Sequence, residues 1–298
     1  MMSHSVVRQS TGERTFSVVN IILLTALMLV TAYPLLYVVF ASLSDPSALI
    51  ANRGALLKPL GLSLDAYIRV LQNPMIAIGY RNTLFYVVAG TALNMTLTCL
   101  GAYALSRQNV MFKKPIMLLI IFTLFFNGGL IPTYLLVGQT LRMADTPWAL
   151  IVPTAVNTIN LIILKTAFES VPVSLEEAAR IDGANDFTIL FRVVLPLSLP
   201  ALAVVVLFYA VGHWNAYFNA LVYIQSRDLY PLQLVLREIL ITSNVESMTT
   251  TVSSTDAFQV GQTIKYATII VATLPILVIY PFLQKYFVKG ALIGAIKE

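Results

Sequence analysis

The sequence predicts an all-α integral membrane protein with about six transmembrane helices and a short helix on its cytoplasmic face. Three observations carry this. Of 298 residues, 58% are hydrophobic and only 11% are charged, and the mean hydropathy is +0.81. Soluble domains carry about 45–50% apolar and about 25% charged residues. One core cannot hide that excess, because surface area shrinks too slowly with chain length. Last, the charges fall in short clusters between apolar runs long enough to cross a bilayer.

The runs come in order at roughly 17–41, 82–105, 115–137, 147–165, 198–222 and 267–288. Each is close to the roughly 20 helical residues that a hydrocarbon core of about 30 Å demands. Arg8 and Arg14 precede the first run and resemble the charged start of a signal peptide. The run itself is too long for a signal core of about 7–15 residues and reads as a retained helix. Pro115 and Pro147 stand at span starts, where proline's missing donor is harmless. Pro196 and Pro200 bracket the entry to the fifth span. Pro132, Pro153 and Pro275 fall inside spans and predict kinks or breaks. The strongest break is Asn127-Gly128-Gly129 followed by Pro132. It is tolerable at membrane depth only against protein or a water-lined cavity.

The resulting organisation is a cytoplasmic arm over 1–16, a transmembrane domain over 17–288 and a cytoplasmic tail over 289–298. Basic residues are denser in the arm, in the second-to-third loop (Arg107, Lys113, Lys114), after span four (Lys165, Arg180, Arg192) and in the tail. That bias places both termini in the cytoplasm. Two long loops, about 42–81 and 223–266, then lie outside. In the first, 63–71 has helical apolar spacing, with Ser63 as a cap. In the second, Ser243 to Thr255 is rich in Ser and Thr and reads as a mobile loop. The net charge of +5 invites a nucleic-acid partner, but the placement of the charges in short clusters between long apolar runs argues against one.

Several function classes are disfavoured. The predicted spans hold no Asp, Glu, Lys or Arg away from their ends, and His213 is their one near-neutral titrating group. Ion-coupled carriers usually need buried ionisable groups. The sequence has no phosphate-binding loop, no His-Glu-x-x-His and no Gly-x-Ser-x-Gly, so neither ATP hydrolysis nor those hydrolytic chemistries are expected of this chain. Two histidines and one cysteine, Cys99, predict no metal site and no bound cofactor. The spans do carry Asn94, Asn127, Asn157, Asn160, Asn215 and Asn219. Amides facing lipid are costly, so these should bond between helices or line a polar path. His213-Trp214-Asn215-Ala216-Tyr217 puts aromatics and amides on little more than one turn, the pairing that suits sugar rings and hydroxyls. An interfacial aromatic belt accounts for Trp214 and Tyr217 equally well. The expected solute path is Asn127, Asn157, Asn160, Trp214, Asn215 and Tyr217.

The segment at about 168–196 decides among the remaining readings. Ser174 to Glu177 has the spacing of a capping box, and the acids favour the positive end of a helix dipole. Ala178 and Ala179 form helix strongly, Gly183 ends it, and Asn185 or Asp186 caps a second helix running toward Pro196. Two short helices bent at a glycine, with small residues that allow close approach, suit a docking element. The alternative is an ordinary loop on the membrane surface.

Glu177-Ala178-Ala179, then Gly183, then Val193-x-Leu195-Pro196 resembles the Glu-Ala-Ala loop of ABC importer permeases. The one departure is valine for isoleucine, which keeps the shape. Asn127-Gly128-Gly129-Leu130-Ile131-Pro132-Thr133-Tyr134 resembles carbohydrate permeases of the maltose-transporter class, nearest the branch that takes larger oligosaccharides. Gly212-His213-Trp214-Asn215, Tyr230-Pro231-Leu232-Gln233 and Lys289-Gly290 are similar to that branch too.

The resemblance implies the ABC importer permease fold in a bacterial cytoplasmic membrane. It implies a heterodimer with a second permease, two ATPase subunits that bind ATP and Mg, and an extracytoplasmic solute-binding protein, met through the outer loop near 223–266. Glu177, Ala178, Ala179 and Gly183 would contact the ATPase, supported by Glu176, Asp182 and Leu195. The rival readings are a permease for a non-sugar solute, a secondary transporter and an intramembrane enzyme.

Overall fold

The computed structural model describes residues 11–52, 54–108, 110–249, 263–279 and 281, without the side chains of 242–249. Helix α1 spans Thr11–Ser42 and α4 spans Pro74–Ser106, each long and apolar enough to cross a membrane alone. Between them lie the short α2, Pro46–Ala51, and α3, Asp65–Gln72. Three bent pairs follow. Helices α5 (Lys113–Phe125) and α6 (Leu130–Thr140) meet at 112°, and α7 (Trp148–Thr154) and α8 (Thr158–Glu169) at 50°. Helix α9 covers Val173–Ile181. Then α10 (Asp186–Leu197) turns by 88° into α11 (Leu199–Trp214). Helix α12 is Phe218–Tyr223, α13 is Leu232–Thr249 and α14 is Thr263–Ile279. Among the described residues no strand forms.

The predicted breaks at Asn127-Gly128-Gly129 and at Pro153 are present, and the chain also bends between Pro196 and Pro200, the prolines that bracket the entry to the fifth predicted span. Pro275, by contrast, leaves α14 continuous. The rest of the sixth predicted span, together with the arm and tail expectations over 1–10 and 289–298, lies outside the described residues. One loop expectation is corrected: α13 runs on to Thr249, so the first part of Ser243–Thr255 is helix, and the remainder is not described. Leucines and isoleucines through 232–241 start that helix, and Ser243 and Asn244 weaken it without breaking it.

The chain divides into two compact units, Met1–Gln72 with Thr242–Val271, and Asn73–Ile241 with Ala272–Glu298. The first has a small core of Ala41, Leu49 and Leu56 with Tyr37, Phe40 and Tyr266 packed on it. Asp45 caps α2 by accepting from the Ser47 and Ala48 amides, 3.0 Å each. Ser63 Oγ accepts from the Asp65 amide at 3.3 Å, as expected of the start of α3.

The second unit is organised along α4. Its core joins Ala102, Tyr103 and Leu105 of α4 to Leu161, Leu164 and Phe168 of α8, Ile189, Leu190 and Val194 of α10, and Val205 and Tyr209 of α11. At a rise of about 1.5 Å per residue, α4 is close to 50 Å long. Its N-terminal end holds a loop. Asn82 Nδ2 donates to the Asp228 and Tyr230 carbonyls (2.7 and 3.0 Å), Tyr86 donates to the Leu229 carbonyl (2.7 Å), and Thr83 Oγ1 accepts from the Leu232 amide (2.8 Å). From the other side Asp145 accepts from the amides of Gln225 (2.9 Å) and Ser226 (2.8 Å) and from the Ser226 hydroxyl. The start of the predicted outer loop is therefore clamped.

The Ser226 hydroxyl, then the Ser226 and Gln225 amides, hold the Asp145 carboxyl below the ordinary value of 3.8. Such a group stabilises the loop above its unfolded pKa, and the contribution is lost as pH falls through the depressed folded value. Hydrogen exchange at the Gln225 and Ser226 amides is expected to be slow and pH-corrected rates flat near neutrality. It should quicken several-fold in Asp145→Ala, and in the wild type only below the ordinary carboxylate value. Unaltered exchange in Asp145→Ala would refute the clamp.

Candidate functional site: a docking helix and an amide-lined cavity

Helix α9 starts two residues earlier than its sequence suggests. Pro172 is the residue before it, and the Leu175 amide donates to the Pro172 carbonyl at 3.1 Å. Ser174 lies inside the first turn, so the Ser174–Glu177 capping box does not form. Proline's fixed φ has already set the helical start. The C-terminus matches expectation. The Gly183 amide donates to the Arg180 carbonyl (3.0 Å) and the Ala184 amide to the Ala179 carbonyl (2.9 Å), the double closure of a Schellman motif around a residue at φ +83°. Asn185 then caps α10, its Oδ1 accepting from the Thr188 amide at 2.8 Å.

The two glutamates of α9 separate. Adjacent helical residues point about 100° apart, so one face cannot show both. Glu177 is exposed, with Ala178, Ile181, Asp182 and Gly183. Ala179 is half-buried, and it packs with Leu195 against the core of the unit. Glu176 is 7% exposed and ion-paired to Arg107. Arg180 pairs with Asp186 at 2.9 Å across the Gly183 turn, both side chains exposed, a contact of small net value.

A cavity of about 420 Å³ lies farther up α4, lined by Asn157, Asn160, Asn215, Tyr217 and Asn219 with His213, Tyr209 and Phe208. It sits where two helices are interrupted, between α7 and α8 and between α11 and α12. Asn157 caps α8, its Oδ1 accepting from the Asn160 amide at 3.1 Å. The Tyr209 hydroxyl accepts from the Asn157 amide (2.9 Å) and shares a hydrogen bond with Thr98 of α4 (2.7 Å).

Four of the six residues expected along a solute path thus meet in one cavity: Asn157, Asn160, Asn215 and Tyr217. Two do not. Trp214 is buried elsewhere, its indole donating to the Ala272 carbonyl at 3.3 Å and its ring edge-on to Tyr80. It follows His213 on a helix, so the two must face different ways. Asn127 stays at the α5–α6 break, where its Oδ1 accepts from the Gly129 amide at 3.0 Å, a local turn bond.

The cavity is braced by one of the span asparagines expected to bond between helices. Asn94 of α4 is fully buried. Its Nδ2 donates to the Thr154 carbonyl (2.6 Å) and the Ala155 carbonyl (3.0 Å), groups released by the break after α7. Both amide protons being spent, Oδ1 faces His213 and accepts from Nε2 at 2.8 Å. One asparagine therefore repairs a broken helix and orients a histidine at the cavity wall. Among the described residues no cluster of metal-ligating side chains forms.

The chain as a whole has relatives. The family described as "Binding-protein-dependent transport system inner membrane component" matches residues 97–292. The chain belongs to that family. This inner membrane component is 44% identical to the polygalacturonan/rhamnogalacturonan transport system permease protein YtcP of Bacillus subtilis over 269 residues, covering 90% of this chain and 93% of that protein. It is 43% identical to Protein LplC of the same organism, covering 95% of each chain. A solved bacterial ABC transporter involved in the import of the acidic polysaccharide alginate contains a chain with a TM-score of 0.85. That chain is 34% identical, and the match covers 95% of this permease and 100% of it. The fold is therefore that of an ABC importer permease, and the family's role is transport rather than catalysis.

Proposed function

We propose that this permease forms one half of the pore of an ATP-driven oligosaccharide importer in the bacterial cytoplasmic membrane, with both termini inside. A second permease completes the pore, two ATPase subunits bind ATP and Mg below it, and an extracytoplasmic binding protein delivers the solute. The observation that carries this is α9. It shows Glu177, Ala178 and Asp182 outward, turns sharply at Gly183, and is anchored from behind through Glu176. A small, rigid, outward face is what an ATPase cleft can grip, and ATP-driven closure of the ATPase pair would bias the permease toward its outward-facing state.

The substrate class is supported by the cavity, where amides and Tyr217 offer hydroxyl partners and a ring to stack on, and by the names of the relatives. The test is affinity purification from mild-detergent membranes of the wild type and Glu177→Arg. The wild type is expected to bring down an ATPase and a second permease, and the variant to lose the ATPase alone. The recovered wild-type complex, in liposomes with its binding protein, should take up oligosaccharides only with ATP inside. A chain that purifies alone in both forms, with uptake following a proton gradient, would overturn the proposal in favour of a secondary transporter.

A further inference from the structure

Arg107 follows the last residue of α4, and from there its side chain reaches four other groups. It pairs with the buried Glu176 of α9. It donates to the Phe168 carbonyl in the last turn of α8 at 3.3 Å. It lies 4.7 Å from the Tyr103 ring centroid on α4 and donates twice to Ser106 Oγ (3.1 and 2.9 Å). Lys113, the first residue of α5, reinforces the junction by donating to the Arg107 carbonyl (3.2 Å) and to Glu169 (2.9 Å). These groups wall a cavity of about 450 Å³ between α9 and the ends of α4 and α8.

We propose that Arg107 is the positioning residue that makes α9, α4 and α8 move together, so that displacement of the docking helix reaches the amide-lined cavity. A mere membrane-flanking charge would be solvated. This one is mostly buried, and a planar five-donor fork is the group that can serve a carboxylate, a carbonyl and an aromatic face at once. Buried pairs often add little net stability over apolar replacements, so the role assigned to this one is to fix geometry. The two helices it ties reach the amide-lined cavity: Asn160 of α8 and its cap Asn157 line it, and Asn94 and Thr98 of α4 hold the wall residues His213 and Tyr209. Helices transmit a push along their length where loops absorb it.

The inference rests on the docking reading of α9, and the test separates the two. The full complex is reconstituted with Asn219→Cys in the cavity wall in a Cys99→Ala background. Labelling of this chain by a water-soluble maleimide is followed by mass, with and without ATP and vanadate. Arg107→Gln is expected to retain the ATPase through purification yet lose about fivefold or more of the nucleotide-dependent change in labelling rate. The paired reversal Arg107→Glu with Glu176→Arg should recover part of it. Should Arg107→Gln fail to accumulate, Arg107→Lys, which keeps the charge without the fork, is read in the same way, with the same loss expected. A wild-type response in the variant read, a paired reversal no better than either single change, or loss of the ATPase on changing Arg107 would each overturn the proposal. Retention of the ATPase by Glu177→Arg would instead remove the docking reading.

Discussion

Gly183→Pro is expected to abolish ATP-dependent uptake while the chain still inserts to wild-type abundance. The Gly183 backbone sits at φ +83°, and its amide closes α9 by donating to the Arg180 carbonyl. Proline fixes φ near −65° and has no amide hydrogen. Both requirements therefore fail at once, for a local cost on the order of 3 kcal/mol. No apolar span depends on this turn, so insertion is spared. What is lost is the angle between α9 and α10, and with it the direction in which α9 presents Glu177 and Ala178. Gly183→Ala is the control. A Cβ at Gly183 would meet nothing within 4 Å, leaving only the left-handed strain of about 1–2 kcal/mol and partial activity. ATPase rate and uptake, compared at equal membrane abundance, read the difference. Unchanged uptake in Gly183→Pro would refute the role given to the turn.

Much of this was legible in the sequence, for identifiable reasons. Span positions followed from apolar length, because unsatisfied backbone is intolerable in lipid. Breaks followed from proline and glycine, whose effects are local. The Gly183 stop was readable for the same reason, as was the Asn185 cap. Facing was not readable. In a soluble helix polarity marks the outer side, but here lipid and protein interior are both apolar, so the pattern goes flat. Trp214 and Asn215 looked alike as path residues because nothing local says which side of α11 turns toward α8. Asn94 and His213 lie on separate helices far apart in the chain, and their pairing appears only once α4 and α11 are packed. Arg107 looked like one more basic residue at a membrane boundary. A signal for it did exist: of two adjacent glutamates on a short helix packed on one side only one can lie on the exposed face, so the other needs a cation behind it.

Gly90→Ala is expected to destabilise the permease far more than a one-carbon change ordinarily would. A Cβ at Gly90 would stand 2.4 Å from His213 Nε2, 2.6 Å from Cε1 and 2.9 Å from Cδ2, so α4 and α11 approach as they do only because position 90 has no side chain. The histidine has no easy retreat. Its Nε2 is held by Asn94, and Asn94 is held by the carbonyls of Thr154 and Ala155. Moving the ring adds an overpacking cost of about 1–3 kcal/mol to about 1–3 kcal/mol for a buried acceptor left without its donor. The thermal midpoint in detergent should fall by several degrees. His213→Ala alone removes the ring's packing and its bond to Asn94 but introduces no clash. Combining the two removes the clash, so Gly90→Ala with His213→Ala should melt above Gly90→Ala alone and close to His213→Ala alone, a favourable coupling between the sites. Simple addition of the two losses would mean that the ring is not what position 90 accommodates, and that α4 and α11 pack by some other constraint.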